Sequence, residues 1–186
     1  MRIAYWDLEA HDLNASFGPL ICGSIYGLPE QKMITYRQDE MVKIGAADDM
    51  NDDKALCIAI KDKLEQYHMT CGWYSKGYDV PMLNSRLVMW GEEPMKSLLH
   101  LDGIWFFKGW RGLKPMSSKL KHVAEFLEVG KDKPDVKPSV WMAARQGDKT
   151  AMDEVVHRCE EDTDITRLCI EKALDMNLVR NIQRYP

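Results

Sequence analysis

The amino-acid sequence predicts an α/β fold in which a mixed central sheet, opened by an antiparallel meander of strands, is flanked by helices. Three observations lead to this prediction. Short apolar and aromatic segments fill the first third of the chain, helical patterns follow, and the two kinds of segment then alternate. The chain has 186 residues, an ordinary length for one domain, and we expect a single domain spanning residues 1–186.

The opening meander is expected from three strand candidates, at residues 3–8, 20–26 and 32–36. Gly18-Pro19 and Leu28-Pro29 separate them, and glycine and proline are strong turn formers. Consecutive short strands joined by turns pair most simply in antiparallel order.

The remaining elements are predicted from hydrophobic periodicity and capping residues. Helices are expected at residues 54–67 after a cap at Asp52 or Asp53, at residues 80–90, and at residues 140–145. A further helix is expected after a cap at Ser117 or Ser118, with inward-facing positions between 120 and 127, and the last from Asp148 or Thr150 to about residue 173. Strands are expected at residues 69–73 and within 98–107, and a surface loop at residues 130–138.

Composition excludes several classes of protein. With 45% apolar and 29% charged residues the chain is neither disordered nor membrane-spanning, and no apolar run approaches a span of about 18 residues. The first residues contain no apolar stretch long enough to predict a signal peptide, and the five cysteines form no Cys-x-x-Cys pair. We therefore expect buried thiols, no membrane partner and a cytoplasmic protein, in its own cell or in a host. The net charge of −4 argues against coating nucleic acid by bulk charge, although bound cations can reverse the sign of an acidic site.

The first acidic segment is Asp7-Leu8-Glu9, at the end of the first predicted strand. Residues two apart in a strand point to the same face, so both carboxylates should project together. Two crowded carboxylates repel one another unless a cation lies between them. On its own the pattern is also typical of an ordinary acidic strand end.

The second segment runs from Gly72 to Arg86 and places Asp79 where a loop meets a helix. The plain alternative is that Asp79 only caps that helix. The third segment lies in the long C-terminal helix, where His157 and Asp162 are five residues apart and thus about 140° apart around the axis. Both could border one cleft, although this acidic helix face could also be merely solvated.

Together these three segments resemble the DEDD (DnaQ-like) 3′–5′ exonuclease superfamily, whose fold is ribonuclease-H-like. Asp7 and Glu9 match its first motif, Asp79 its second and Asp162 its third. Residues 72–86 look like the Gly-x-Asn-x-x-x-(Phe/Tyr)-Asp-x-Pro-x-Leu-x-x-Arg pattern of family-B polymerase proofreading domains and their stand-alone relatives, with Tyr74 in place of Asn.

The third motif departs from that polymerase-like pattern. Polymerase-type stand-alone relatives place Tyr four residues before the last Asp, and here that position is Arg158. The histidine (DEDDh) subclass places His five residues before it, which His157 matches. The resemblance therefore favours the histidine subclass.

The resemblance implies a metal-dependent 3′–5′ exonuclease that hydrolyses terminal phosphodiester bonds of single-stranded DNA, or short RNA, to nucleoside monophosphates. It implies two divalent cations, Mg²⁺ or Mn²⁺, with Asp7 bridging them, Glu9 and Asp162 completing one shell and Asp79 holding the other ion. His157 would accept the proton of the attacking water. The implied partner is a single-stranded 3′ end. The protein would act either alone or as a separate proofreading or processing subunit, whose partner would be a separate polymerase or a replication or repair protein.

Two other functions stay open on the sequence alone. The chain could be a catalytically weak or inactive module that binds nucleic acid or a partner on the same fold, as the altered positions 74 and 158 suggest. It could also be a related two-metal nuclease that cuts internal bonds.

Substrate contacts are expected from two regions. His11, Asn14, Ser16 and Phe17 follow the first motif, and Tyr74, Lys76 and Arg86 belong to the second. The stretch 105–121 interleaves aromatic and basic residues, a mixture that suits single-stranded nucleic acid. The alternatives are an ordinary loop for the first region and core aromatics with solvated lysines for this stretch.

Overall fold

The computed structural model describes residues 1–108, 113–129 and 136–178, together with the backbone of residues 183–185. One six-stranded sheet is formed within these residues, in the order β3-β2-β1-β4-β5-β6. The strands are β1 Ile3–Ala10, β2 Leu20–Leu28, β3 Lys32–Arg37, β4 Met69–Gly72, β5 Leu98–Asp102 and β6 Gln183–Tyr185. Strands β1 to β3 pair antiparallel, β4 and β5 continue the sheet parallel to β1, and β6 pairs antiparallel with β5. The predicted mixed sheet with an opening meander is confirmed.

Helices flank this sheet. They are α1 Gln38–Lys43, α2 Lys54–Leu64, α3 Asp79–Met89, α4 Leu120–Phe126, α5 Pro138–Arg145 and α6 Lys149–Asp175, with a 3₁₀ turn at Gly103–Phe106. The sequence did not predict α1 or β6, and the predicted surface loop lies mostly outside the described residues, its last residue beginning α5. The strand expected within residues 98–107 ends early, because the Asp102 carboxylate accepts a hydrogen bond from the Ile104 amide and starts the 3₁₀ turn.

The central strand β1 is covered on both faces. Ala4, Trp6 and Leu8 belong to a buried cluster that includes α2 and α3, whereas Tyr5 packs in a second cluster with residues of α6. Side chains alternate along a strand, so Asp7 and Glu9 share the face of Tyr5, the face that α6 covers. This alternation is why two residues near the start of the chain lie beside a helix near its end.

Helix α6 is fixed against the meander by buried polar contacts. The Ser24 hydroxyl of β2 donates to the Cys159 carbonyl at 2.9 Å and also hydrogen-bonds the Thr163 hydroxyl. The Cys159 thiol lies 3.4 Å from the Asp7 carbonyl oxygen. All five cysteines are buried thiols. Directional bonds at residues 159 and 163 set the rotation of the helix, and with it the direction in which Asp162 projects.

None of the helices described here combines the length and the apolar composition that a membrane span requires.

Candidate active site

Three carboxylates converge between β1 and α6. Asp7, Glu9 and Asp162 each offer an oxygen atom, and these atoms lie within 4.8 Å of one another. The first two project from one face of β1, and Asp162 projects from α6 toward the same point, with most of its surface buried. The sequence predicted that Asp7 and Asp162 converge, although they lie 155 positions apart in the chain.

Asp79 lies beside β1. It is the first residue of α3, it is buried, and no side chain caps that helix. Its Oδ1 accepts a hydrogen bond from the Leu8 amide at 3.1 Å. The Asp79 carboxylate therefore binds the backbone of β1 instead of capping α3. This contact holds Asp79 against the segment that carries Asp7 and Glu9.

The surroundings of Asp79 give it a higher pKa than an ordinary surface carboxyl has. Burial raises its pKa well above the usual range, and the neighbouring Asp7 charge raises it further. The Leu8 amide opposes this rise by stabilising the ionised form. A cation at the cluster would favour ionised Asp79, since opposite charge stabilises a carboxylate.

Arg158 adds a positive charge to the cluster through contacts with Glu9 and Asp162. The sequence had indicated this position only as a departure from the third motif. The Arg158 Nε lies 3.6 Å from Glu9 Oε1, and an Nη lies 3.4 Å from Asp162 Oδ2. The side chain is 27% exposed, so water reaches part of it beside the cluster. The spacing of four residues between Arg158 and Asp162, which stacks side chains on a helix, could have indicated this pair.

His157 lies on the solvent side of the same helix turn. Its side chain is 71% exposed, and its Nε2 lies 3.4 Å from Glu161 Oε1. The imidazole is thus accessible to water but is not one of the three clustered ligands. Its role as proton acceptor stays a prediction.

The loop between β1 and β2, which follows the strand that carries Asp7 and Glu9, forms one wall of a cleft. Asn14 organises this loop, because its Oδ1 accepts from the Ser16 amide at 2.9 Å and its carbonyl from the Phe17 amide at 3.0 Å. The cleft has a volume of about 470 Å³. Its lining includes the predicted residues Ser16, Phe17 and Arg86, together with Pro19, Asn51, Met89, Trp90 and Arg145.

His11 lines an adjoining cavity of about 430 Å³ that shares Asn51 and Arg145 with the first. Partial burial lowers the pKa of His11, and the Arg145 charge lowers it further. The imidazole thus lies in the electrostatic field of Arg145, a cation of the cleft wall that the sequence had not indicated. Contact of His11, Asn14, Ser16 and Phe17 with substrate stays a prediction.

Arg86 is held in a buried ion pair. Its Nη2 lies 2.5 Å from Asp53 Oδ1, and the two side chains are 6% and 0% exposed. Its Nη1 donates to the Ala15 carbonyl at 2.8 Å, which ties α3 to the β1–β2 loop. Arg86 thus reaches the cleft with much of its hydrogen-bonding capacity already used, and any direct substrate contact stays a prediction.

Tyr74 and Lys76 belong to the loop between β4 and α3. Their amides donate to the Asp102 carboxylate at 2.7 and 3.1 Å, and the Asp102 charge also raises the pKa of Asp79. Tyr74 has a φ of 59°, a left-handed conformation that Asn adopts more readily than an aromatic residue. This explains physically why a pattern with Asn at this position suits the loop.

An exposed aromatic and basic surface adjoins this loop, which we call the stacking surface: Tyr74, Trp105 and Lys108. The Lys108 Nζ lies 5.3 Å from the Tyr74 ring centroid and 5.7 Å from that of Trp105. Trp105 is 53% exposed, whereas Phe106 and Phe107 are core residues, as the alternative interpretation expected for this stretch. Trp110 and Arg111 of the same predicted stretch lie outside the described residues.

Comparison with known proteins agrees with this architecture. A family model of the RNase_H superfamily (RNase_H_2) matches residues 4–173. Among solved structures, the chain is similar to the family B DNA polymerase from the hyperthermophilic archaeon Pyrobaculum calidifontis, with a TM-score of 0.73 and 15% identity. That match covers 96% of this chain and 25% of the polymerase, so this chain corresponds to about a quarter of that protein. No curated protein sequence matches the chain.

At 15% identity the polymerase likeness establishes the fold alone. The ribonuclease-H-like fold expected from the three motifs is confirmed by both comparisons. Since the family model spans all but the ends of the chain, this protein belongs to the RNase_H superfamily.

Proposed function

We propose that the chain is a metal-dependent 3′–5′ exonuclease, acting as one domain over residues 1–186. Its substrate would be single-stranded DNA or short RNA, and its products nucleoside monophosphates. The proposal rests above all on Asp7, Glu9 and Asp162, whose oxygen atoms lie within 4.8 Å of one another. The similarity of residues 72–86 to the second motif of polymerase proofreading domains supports it.

The donor set fits hard divalent cations. All the candidate ligands are carboxylate oxygens, which Mg²⁺ and Mn²⁺ prefer over nitrogen or sulfur ligands. Asp7, Glu9 and Asp162 would hold the ions directly, and Asp79 would complete the set from its buried position against Leu8. When bound, two such ions supply a nucleophile at neutral pH and neutralise the charge that develops on the phosphate.

Other residues of the chain would bind the nucleic-acid strand and accept the proton. The stacking surface would hold the bases upstream of the 3′ end, because aromatic rings stack on any base and the Lys108 ammonium attracts phosphate. The cleft lined by Ser16 and Phe17 would hold the terminal nucleotide. His157, which is exposed on the helix that carries Asp162, would accept a proton from water.

The left-handed backbone of Tyr74 adds support for the stacking surface. Such a conformation costs an aromatic residue about 1–2 kcal/mol, and strained residues concentrate at functional sites. An exposed ring retained there at this cost is consistent with contact to a ligand.

End-labelled oligonucleotides test the proposal. With Mn²⁺, a 5′-labelled DNA single strand should shorten stepwise from its 3′ end, and a matched RNA strand reports the sugar preference. A circular single strand should stay intact, because an exonuclease needs an end. Asp7→Ala should abolish digestion, and degradation at the wild-type rate by this variant would contradict the proposed roles.

A second candidate function is a non-catalytic module that binds nucleic acid or a partner, such as a separate polymerase. The observation that favours it is Arg158, whose guanidinium lies against two of the proposed metal ligands. Strand binding without Mn²⁺-dependent digestion would favour the module over the exonuclease.

A further inference from the structure

Arg158 brings a positive charge of the protein to the edge of the carboxylate cluster. It lies one helical turn before Asp162, so the two side chains stack on one face of α6. From there its guanidinium spans to Glu9 on β1, with contacts of 3.6 Å to Glu9 and 3.4 Å to Asp162. One positive charge of the protein therefore adjoins two of the three clustered carboxylates.

These contacts are looser than an optimised arginine–carboxylate pair, in which N–O distances are about 2.7–2.9 Å. Arg167 on the same helix provides the comparison, since it lies 2.7 Å from Asp164 and 2.8 Å from Glu171. Arg158 instead makes one long contact to each of two residues and engages neither carboxylate through a fork of two short bonds. Such an arrangement satisfies charge without fixing the guanidinium rigidly.

We propose that Arg158 is a resident counter-ion of the metal site, which neutralises Glu9 and Asp162 without a divalent cation and competes with one for them. The inference rests on the proposed function, since it assumes that these carboxylates bind metal. Like charges at one cluster repel, so the guanidinium weakens the binding of a divalent cation. By linkage, a bound cation weakens the arginine contacts by the same factor.

The same geometry gives the displaced guanidinium a second partner. It is planar and always charged, and its donor fork matches phosphate as well as carboxylate. Released from Glu9, it stays in the cleft where a phosphodiester would be bound. Arg158 thus takes a positioning role at the site where polymerase-type relatives carry a tyrosine.

Calorimetric titration of the purified protein with Mn²⁺ alone tests the inference. Arg158→Met keeps an unbranched stem and the helix preference of the side chain and removes the guanidinium with its charge. We expect it to bind Mn²⁺ about 10-fold more tightly than wild type, within the usual range of coupling between two ligands. Arg158→Lys keeps the charge and should stay near wild type.

Arg167→Met is the matched control, because it removes one charge from the same helix but from an arginine paired with Asp164 and Glu171. It should leave Mn²⁺ affinity unchanged. Arg158→Gln provides a second neutral variant if Arg158→Met does not fold, and thermal unfolding gives a second readout. Without metal the neutral variants should unfold at a lower temperature than wild type, and with Mn²⁺ they should gain more.

Two outcomes would overturn the inference. If wild type binds Mn²⁺ and the neutral variants bind it equally or more weakly, Arg158 does not compete with metal, while the proposed function stands. If neither wild type nor any variant binds Mn²⁺, the proposed function itself fails and the inference fails with it.

Discussion

The buried ion pair between Arg86 and Asp53 gives a stability prediction that also decides what Arg86 does. Asp53 is fully buried and accepts hydrogen bonds from Arg86, from the Trp90 indole at 2.7 Å and from the Leu20 amide at 2.7 Å. Replacing Arg86 by Met would leave this carboxylate buried without its cation. Removing one partner of a buried pair costs about 3–5 kcal/mol.

For a chain of this size, such a loss lowers the unfolding temperature by roughly 10 °C. The variant should also bind a single strand less well, because the bond from Arg86 to the Ala15 carbonyl holds the β1–β2 loop. Urea unfolding of Arg86→Met and wild type at pH 7 measures the first effect. Fluorescence anisotropy of a labelled oligonucleotide measures the second.

Arg2→Met is the matched control, since Arg2 and Glu30 form an equally direct ion pair at 2.7 Å but are 37% and 45% exposed. An exposed pair contributes at most about 1 kcal/mol. If Arg86→Met lost no more stability than Arg2→Met while losing oligonucleotide affinity, Arg86 would act as a substrate ligand and the structural reasoning would be refuted.

Three further predictions concern pH, stacking and backbone strain. His100 is buried between the hydroxyls of Thr70 and Ser75, and burial lowers its pKa to about 4 from an ordinary 6.5. As pH falls, His100 of the unfolded chain therefore binds its proton at a higher pH than His100 of the folded chain. The free energy of unfolding should thus decrease by up to about 3 kcal/mol between pH 6.5 and pH 4. Urea unfolding should show a flatter pH dependence in His100→Gln, and parallel profiles would contradict this. Trp105→Ala should weaken single-strand binding by about 1–3 kcal/mol in anisotropy titrations. Ile44→Ala, at the opposite edge of the sheet and also exposed, should not weaken it, and equal losses in both variants would contradict stacking. Tyr74→Asn should raise the free energy of unfolding by up to about 1 kcal/mol while weakening strand binding, and a clear loss of stability would count against backbone strain at this position.

The fold was predictable because its signals are local. Strand alternation predicted that Asp7 and Glu9 share a face, and hydrophobic periodicity predicted the long helix that carries Asp162. The capping residue Asp148 fixed where that helix begins, and its carboxylate accepts from the Ala151 amide at 2.8 Å. These features depend on neighbours within a few residues, which a sequence displays directly.

The parts that were not predicted depend on distant partners. Arg86 was expected at the substrate, but its partner Asp53 lies 33 residues earlier, at a position that also suited a helix cap. Arg158 contacts Glu9 only because α6 crosses β1 at that point. The left-handed backbone of Tyr74 is held by hydrogen bonds that the Tyr74 and Lys76 amides donate to the carboxylate of Asp102, a residue that no motif had marked.

The metal site is tested most directly by a crystal structure of the protein soaked in Mn²⁺, with data collected for anomalous scattering from manganese. We expect strong anomalous peaks within bonding distance of the carboxylates of Asp7, Glu9 and Asp162. If the three carboxylates were well ordered but showed no manganese peak between them in crystals that contain Mn²⁺, the proposed metal site would be contradicted.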